Sequence, residues 1–399
     1  MRFAPADVGF IADPYGDYAE LRDRAPVLYD EATDHWLVSR YGDVDRLLRD
    51  RRFGRTYLHV ATHGEMGRPS PPEWHAPFWD LINAGILDME PPDHTRVRKL
   101  VAKAFTPRYV ESLRPRVQSI FDGLVEEVAG AGEFDMLPAL AEPLPVTVIA
   151  EMLGVPDGDR HLLRPWSADI VKMYELHPSE RSQRAAVRAC VEFGDYLRGL
   201  ARERRVRPGD DLISGLVHVV DEGRTLTEDE LVGTCALLLN AGHEATVNAT
   251  LLGWWALFRH PDRLKELRAD PSLVPSAVEE LLRFQTPLPM FERWVLEPFE
   301  LHGVRIPKGA ELGLLFDSAN HDPAVFDDPE ELRLDRKPNP HLAFGAGIHF
   351  CLGAPLGRLE LQITFRTLLD RFPDLEPVEE PRFRPGYVIR GLEGLRVRP

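Results

Sequence analysis

Apolar residues along this chain recur mainly three and four positions apart, the spacing of helices that bury one face. That spacing predicts helices in PYGDYAELRDRAPV, over 96–105 and 110–128 with a break at Thr106-Pro107, and over 144–153, 159–175 and 180–206. The strongest start signal lies at 227–230. Thr227 as N-cap and Glu230 three residues on form a capping box, and helical text then runs to Phe258. Shorter helices are expected over 261–267 and 276–284, the second stopping before Pro287. HWLVSRYGDVDRLL reads as strand then helix, and strand-like pieces occur at 291–306, 311–316 and 387–397. Residues 58–92 carry no sustained period. HVATHGEMGRPSPPEWHAPFWDL within them holds four prolines, which predicts an irregular connection that is functional or mobile.

No internal repeat, charged block or flexible linker divides the chain. The expectation is one domain over 1–399, mainly α with small β-sheets attached, not an alternating βαβ protein. The apolar stretch 235–258 is long enough to span a membrane, but Asn240, His243, Glu244 and Asn248 inside it would be expensive in lipid. A buried helix in a soluble protein with no membrane contact is predicted instead. The opening residues lack the basic-then-apolar pattern of a signal peptide, so the expected location is cytoplasmic. A net charge of -16 argues against a general nucleic-acid binder. Cys190, Cys235 and Cys351 stand too far apart in sequence for a clustered zinc site or a disulfide scaffold.

The segment HLAFGAGIHFCLGAPLGRLELQITFRTLL, from His341, carries the densest chemical signal. Gly345, Gly347 and Gly353 surround Cys351 in a turn-rich stretch, and Pro355 suits the first turn of a helix that follows at once. A thiolate at that helix start would be stabilised by free backbone N–H groups and the helix dipole. The residues alone allow a ligating cysteine, a nucleophile, or a small buried hydrophobe. A nucleotide loop fails, because position 350 is Phe where the third glycine would stand and no βαβ unit surrounds it.

Phe344-Gly345-x-Gly347-x-His349-x-Cys351-x-Gly353 resembles the haem-binding loop of the cytochrome P450 family throughout. Further motifs of that family follow the right order, and the resemblance covers essentially the whole chain, with the wording of its soluble bacterial, actinobacterial branch. It implies the cytochrome P450 fold with a long central helix, haem b as cofactor, and Cys351 as axial thiolate ligand of the iron. Glu280 and Arg283, three apart on one helix face, read alone as a surface ion pair. The resemblance makes them a buried pair joined by Arg336, with the structural role of holding the cysteine loop. His94 and Arg98, four apart, match the family's contacts to one haem propionate. Arg293 matches the arginine for the other, and His349 is a further partner.

Ala241-Gly242-His243-Glu244-Ala245-Thr246 resembles the family's oxygen-activation motif. Gly242 can permit a local opening of the helix, and Glu244 stands where the family places the acid associated with proton delivery. The usual threonine is replaced by Ala245, which has no hydroxyl to orient a proton-donating water. Thr246 points about 100° away around the helix and is no simple substitute. Three readings follow: a substrate hydroxyl organises the water, water alone suffices, or the reaction is an oxidative coupling; substrate assistance is the one favoured here. Asn240 beside them either donates to substrate or water, or satisfies a neighbouring backbone group.

By resemblance, the substrate-pocket positions are the loop 79–86 ending at Ile86, the region 166–176, and Leu238, Asn240 and Ala241 of the long helix. Pro289, Met290 and Phe291, and Val388 and Ile389, complete them. The implied activity is a monooxygenase acting with O2 on a hydrophobic, medium-to-large natural product, polyketide- or macrolide-like, by hydroxylation or epoxidation. The alternative is carbon–carbon or carbon–oxygen coupling in secondary metabolism. Seven basic residues over 96–116, with Glu111 the one acid there, read either as a solvated face or as a docking surface for an acidic electron donor. The expected donor is ferredoxin with an NAD(P)H-dependent ferredoxin reductase, and the expected state is a monomer.

Overall fold

The computed structural model describes residues 2–399. Their contacts divide into two compact units. One holds the residues up to Gly54 with Arg116–Leu144 and Glu244–Pro399; the other holds Arg55–Pro115 and Pro145–His243. The architecture is mainly helical with small sheets, as the spacing predicts.

In the first unit a five-stranded sheet runs in the spatial order Val27–Asp30, His35–Val38, Glu311–Leu315, Met290–Val295 and Phe53–Gly54. Its central pair is parallel, with Leu37 opposite Gly313, and the other pairings are antiparallel. Gly313 is dictated by packing, because a Cβ there would lie 2.7 Å from Met290 Sδ. Val38, Val44, Leu48, Val295, Leu312 and Leu314 form the apolar core, and Leu342 and Ala346 of the cysteine segment join it. The loop that carries Cys351 is thus bolted to a β-sheet core.

Three expectations about strands need correction. The stretch 291–306 is three strands: Met290–Val295 in the large sheet, then the hairpin Phe299–Leu301 with Val304–Ile306. That hairpin turns through His302 and Gly303 at φ 51° and 76°, a left-handed pair that splits the run. The piece 311–316 stops at Leu315 and passes straight into the helix Phe316–Asn320. Over 387–397 the strand is Arg396–Arg398, in a three-stranded sheet with Phe134–Asp135 and Glu376–Pro377, and Leu392 makes an isolated antiparallel bridge with Phe383. The residues before that strand form a mostly buried, irregular segment pinned by Arg390, which donates to the Ile11 and Ala12 carbonyls and to Tyr15 Oη.

In the second unit the stretch 58–92 is not wholly irregular. It contains the helix Ala76–Asn83, which buries Phe78, Leu81 and Ile82. Eight residues behind a run of prolines are too few to display a period. The break at Thr106 is a cap, with its hydroxyl accepting from the Tyr109 N–H at 3.1 Å. The helix Glu180–Val206 starts at a Ser179 cap.

The long helix spans Glu228–Arg259 without a break, and passes from the second unit to the first at His243 and Glu244. Its capping box forms: Glu230 N–H donates to Thr227 Oγ1 at 3.2 Å, and Thr227 N–H donates to Glu230 Oε2 at 2.9 Å. Gly242 lies inside this helix, where a Cβ would meet Ile149 Cδ1 at 3.4 Å. Among the described residues no helix is long and apolar enough to cross a membrane.

Candidate active site

Cys351 sits half-buried where a tight loop runs into the helix Ala354–Arg371. Its N–H donates to the Phe344 carbonyl at 3.0 Å, closing the loop on itself. Gly345 and Gly347 both take left-handed backbone, with φ 66° and 72°. At Gly347 a Cβ would also collide with the Leu48 carbonyl oxygen, so any other side chain would push the loop off the sheet core. Gly353 leaves the space beside Cys351 Sγ open, and Pro355 stands in the first turn of the helix. The other two thiols are inert by comparison. Cys190 and Cys235 are buried, and desolvation pushes both up to about 12.

Beneath the loop lies a closed carboxylate–guanidinium cluster. Glu280 and Arg283 are both fully buried and meet in a bidentate pair, both bonds 2.8 Å. Arg336 Nε reaches both oxygens of Glu280 at 3.0 Å, and Asn339 Nδ2 reaches Oε2 at 3.2 Å. The two arginines spend further donors on the carbonyls of Asn320, Asp327, Pro329 and Glu331, which fixes the chain that leads into the cysteine loop. A buried pair satisfied this completely shapes the loop and offers no reactive group.

A second clamp gives no sequence signal, because its three members lie far apart in the chain. Glu279, next to Glu280, accepts from His341 Nε2 at 3.0 Å and from Arg358 Nε and Nη2, both at 2.7 Å. Burial pushes this carboxyl up, but the His341 and Arg358 bonds outweigh it and bring it down to about 2. The Arg358 guanidinium also lies over the Phe344 ring, 4.4 Å from its centre. Loop start, loop aromatic and following helix are thereby tied to one carboxylate.

The long helix is almost fully buried on both sides of one short stretch. Leu231, Val232, Cys235, Ala236 and Leu239 are buried before it, as are Thr246 to Thr250 after it. Between them Ala241 is exposed, while Leu237, Gly242, Glu244 and Ala245 are half-buried. Leu237, Ala241 and Ala245 are four apart, so the opening is one stripe of the helix. Leu237 was not among the candidates; Leu238, which was, is buried.

After the opening, Glu244 is held by neighbours in its own unit. Arg384 Nη2 donates to Asn248 Oδ1 at 2.7 Å and lies 3.4 Å from Glu244 Oε2. Asn248 Nδ2 donates back to the Glu244 carbonyl at 2.8 Å. Thr246 turns to the cysteine helix. Its hydroxyl hydrogen-bonds Glu360, and a Cβ on Gly357 would lie 3.9 Å from it. Burial raises the Glu360 carboxyl to about 8, more than the Thr246 bond lowers it, so this group is a neutral acid at pH 7. The long helix packs on the same helix farther along, with Trp254 stacked on Phe365 at 5.3 Å. Arg384 and Glu360 had no motif to mark them; each is found only through its partner.

The remaining candidates fall as follows. Arg293 is buried on the strand Met290–Val295, donating to the Glu292 carbonyl at 2.8 Å and facing the Phe291 ring. Phe291 stacks on Phe316, and Met290 is buried over Gly313. Val388 and Ile389 follow in a segment whose Arg390 N–H donates to the Pro287 carbonyl, close in sequence to Pro289. His349 is half-buried in the loop's short 3₁₀ turn. In the second unit His94 is buried on the helix Asp93–Ala104, which also carries Arg98, and Ile86 is buried ahead of them. The basic stretch is largely neutralised: Arg96 pairs with Glu230, Lys99 and Lys103 with Asp221, and Arg114 with Glu111. It is therefore not the plain positive surface that its sequence suggests.

These residues fit haem. Cys351 is half-buried at a helix start in a loop closed on the Phe344 carbonyl, and a single thiolate presented in this way suits a metal that arrives with its other ligands in place. The comparisons agree. The family model of cytochrome P450 matches residues 74–385. The chain is 42% identical to cytochrome P450 monooxygenase PikC of Streptomyces venezuelae, over 98% of this chain and 92% of that protein. It is 37% identical to the polyketide biosynthesis cytochrome P450 PksS of Bacillus subtilis, over 100% of this chain and 98% of the relative. The crystal structure of P450BioI with a fatty-acyl-loaded acyl carrier protein superposes with a TM-score of 0.92 at 35% identity, covering 99% of this chain and all of that one. The protein belongs to the cytochrome P450 family and is a monooxygenase whose cofactor is cysteine-ligated haem b.

Proposed function

We propose that the protein hydroxylates or epoxidises a medium-to-large apolar natural product of polyketide type. It works as a single monomeric domain in the cytoplasm, fed with electrons by a ferredoxin and its NAD(P)H-dependent reductase. The observation that carries the catalytic part is the half-buried Cys351 thiol, presented at a helix start by a loop that two carboxylate clamps hold rigid. The substrate class is supported by PksS, whose name assigns it to polyketide biosynthesis.

In this reading Cys351 is the axial ligand, and Phe344, Gly345 and Gly353 shape its surroundings. His94 and Arg98 serve one propionate and Arg293 the other, with His349 as a further partner. Bound haem supplies oxygen activation at a thiolate-ligated iron. Glu244 moves the protons, held in place by Arg384 and Asn248. Ala245 and exposed Ala241 leave room along the open stripe, and with no hydroxyl at 245 a substrate hydroxyl orients the proton-donating water. Thr246 points about 100° away from Ala245 around the helix and interacts with Glu360 instead. Ile86, Leu238, Pro289, Phe291, Val388 and Ile389 supply apolar wall.

An optical titration of the ferric protein tests the substrate class. Macrolactones and other polyketides are expected to convert low-spin iron to high-spin. A shift with fatty acids and none with any polyketide would contradict it.

A further inference from the structure

Asn240 is 3% exposed, and neither its Nδ2 nor its Oδ1 has a hydrogen-bond partner. The same helix shows a satisfied asparagine for comparison: Asn248 bonds the Glu244 carbonyl through Nδ2 and Arg384 through Oδ1. The alternative role open to Asn240, binding a nearby backbone group, is therefore not taken. A buried amide left this way carries the desolvation cost of two polar atoms with nothing returned inside the fold. A leucine has the same branched outline with larger apolar ends, and carries no such desolvation cost.

The direction of Asn240 follows from helix geometry. Gly233, seven residues earlier, lies only about 20° away around the helix axis. A Cβ on Gly233 would come within 2.7 Å of the Leu81 carbonyl oxygen and of Ala84, so that face of the helix looks onto residues 81–85. Gly242, about 200° from Asn240, faces Ile149 instead. Ala241, the next residue, is exposed. Asn240 points about 100° away from Ala241 but only about 60° from half-buried Leu237, so it borders the stripe at its Leu237 end, on the side of the 81–85 segment.

We propose that Asn240 is a specificity-determining residue that binds a hydroxyl of the substrate. Nδ2 donates to the hydroxyl oxygen, and Oδ1 accepts the hydroxyl hydrogen. A hydroxyl satisfies both amide atoms at once, whereas a bare hydrocarbon or fatty chain would leave both unpaired. The inference rests on the natural-product reading above and narrows it to hydroxylated members of that class.

The test is Asn240→Leu, read in two ways. In the ligand-free protein the variant is expected to melt no lower than wild type, since no internal bond is lost. In ferric titrations, a polyhydroxylated macrolactone is compared with analogues each lacking one hydroxyl. Wild type is expected to prefer the parent over one analogue by about tenfold, and the variant to lose that preference by weakening for the parent alone. A variant that melts several degrees lower would assign the amide to the fold and overturn the inference. So would an unchanged preference in the variant, or equal binding of every analogue by wild type. If no macrolactone shifts the spectrum, the polyketide reading itself fails, and the melting comparison alone decides the role of Asn240.

Discussion

Arg384 touches Glu244 and Asn248 with a single guanidinium nitrogen, and both are among the residues that would govern proton delivery. Gly391 is a necessary part of the arrangement, because a Cβ there would collide with Asn248 Oδ1. Removing the cation takes away one of the contacts that direct the Glu244 carboxylate. Arg384→Ala is therefore expected to raise the share of electrons lost to peroxide by about tenfold while leaving the substrate-induced spin shift in place. Arg384→Lys should restore part of the coupling, which a merely structural role would not do. Equal peroxide yield in wild type and Arg384→Ala would remove Arg384 from the account. None of this was legible from sequence, since Arg384 lies 140 positions from Glu244 in a segment that reads as strand-like text only just beyond it.

At the scale of elements, the cysteine loop is held between the helices Val274–Phe284 and Ala354–Arg371 by Glu279, His341 and Arg358. The folded carboxyl of Glu279 sits at about 2, below its ordinary 4.5. Its contribution to stability is therefore present above pH 4.5 and disappears as pH falls through the folded value. Glu279→Gln should melt a few degrees below wild type at pH 7, and the gap should narrow steadily as pH falls towards 3. A gap that stays constant over that range would show that the clamp acts through packing, not charge. The neighbouring cluster was readable in advance because Glu280, Arg283 and Arg336 occur within recognisable text. Glu279 was not, for a carboxylate beside a buried one looks like any exposed helix residue. The same contrast runs through the fold. The helix Glu228–Arg259 was announced by its capping box, whereas Ala76–Asn83 was hidden by length, and the irregular segment 387–391 resembled a strand because it is apolar and almost wholly buried.

For the whole molecule, a basic stretch over 96–116 in a chain of net charge -16 reads either as a solvated face or as a docking surface for an acidic donor. Much of that charge is already answered by Glu111, Asp221 and Glu230, which lowers the pull such a face could exert on an acidic donor. What organises the molecule instead is Cys351. The sheet core receives Leu342 and Ala346, both clamps converge on the loop, and the long helix lies along the helix that follows it. If that convergence exists to present a thiolate to haem iron, the ferrous carbonyl spectrum is its most direct report. Wild type is predicted to give the long-wavelength carbonyl band of thiolate ligation. Cys351→Ala is predicted to lose it while Cys190→Ala and Cys235→Ala keep it. An unchanged band in Cys351→Ala would contradict the account at its centre.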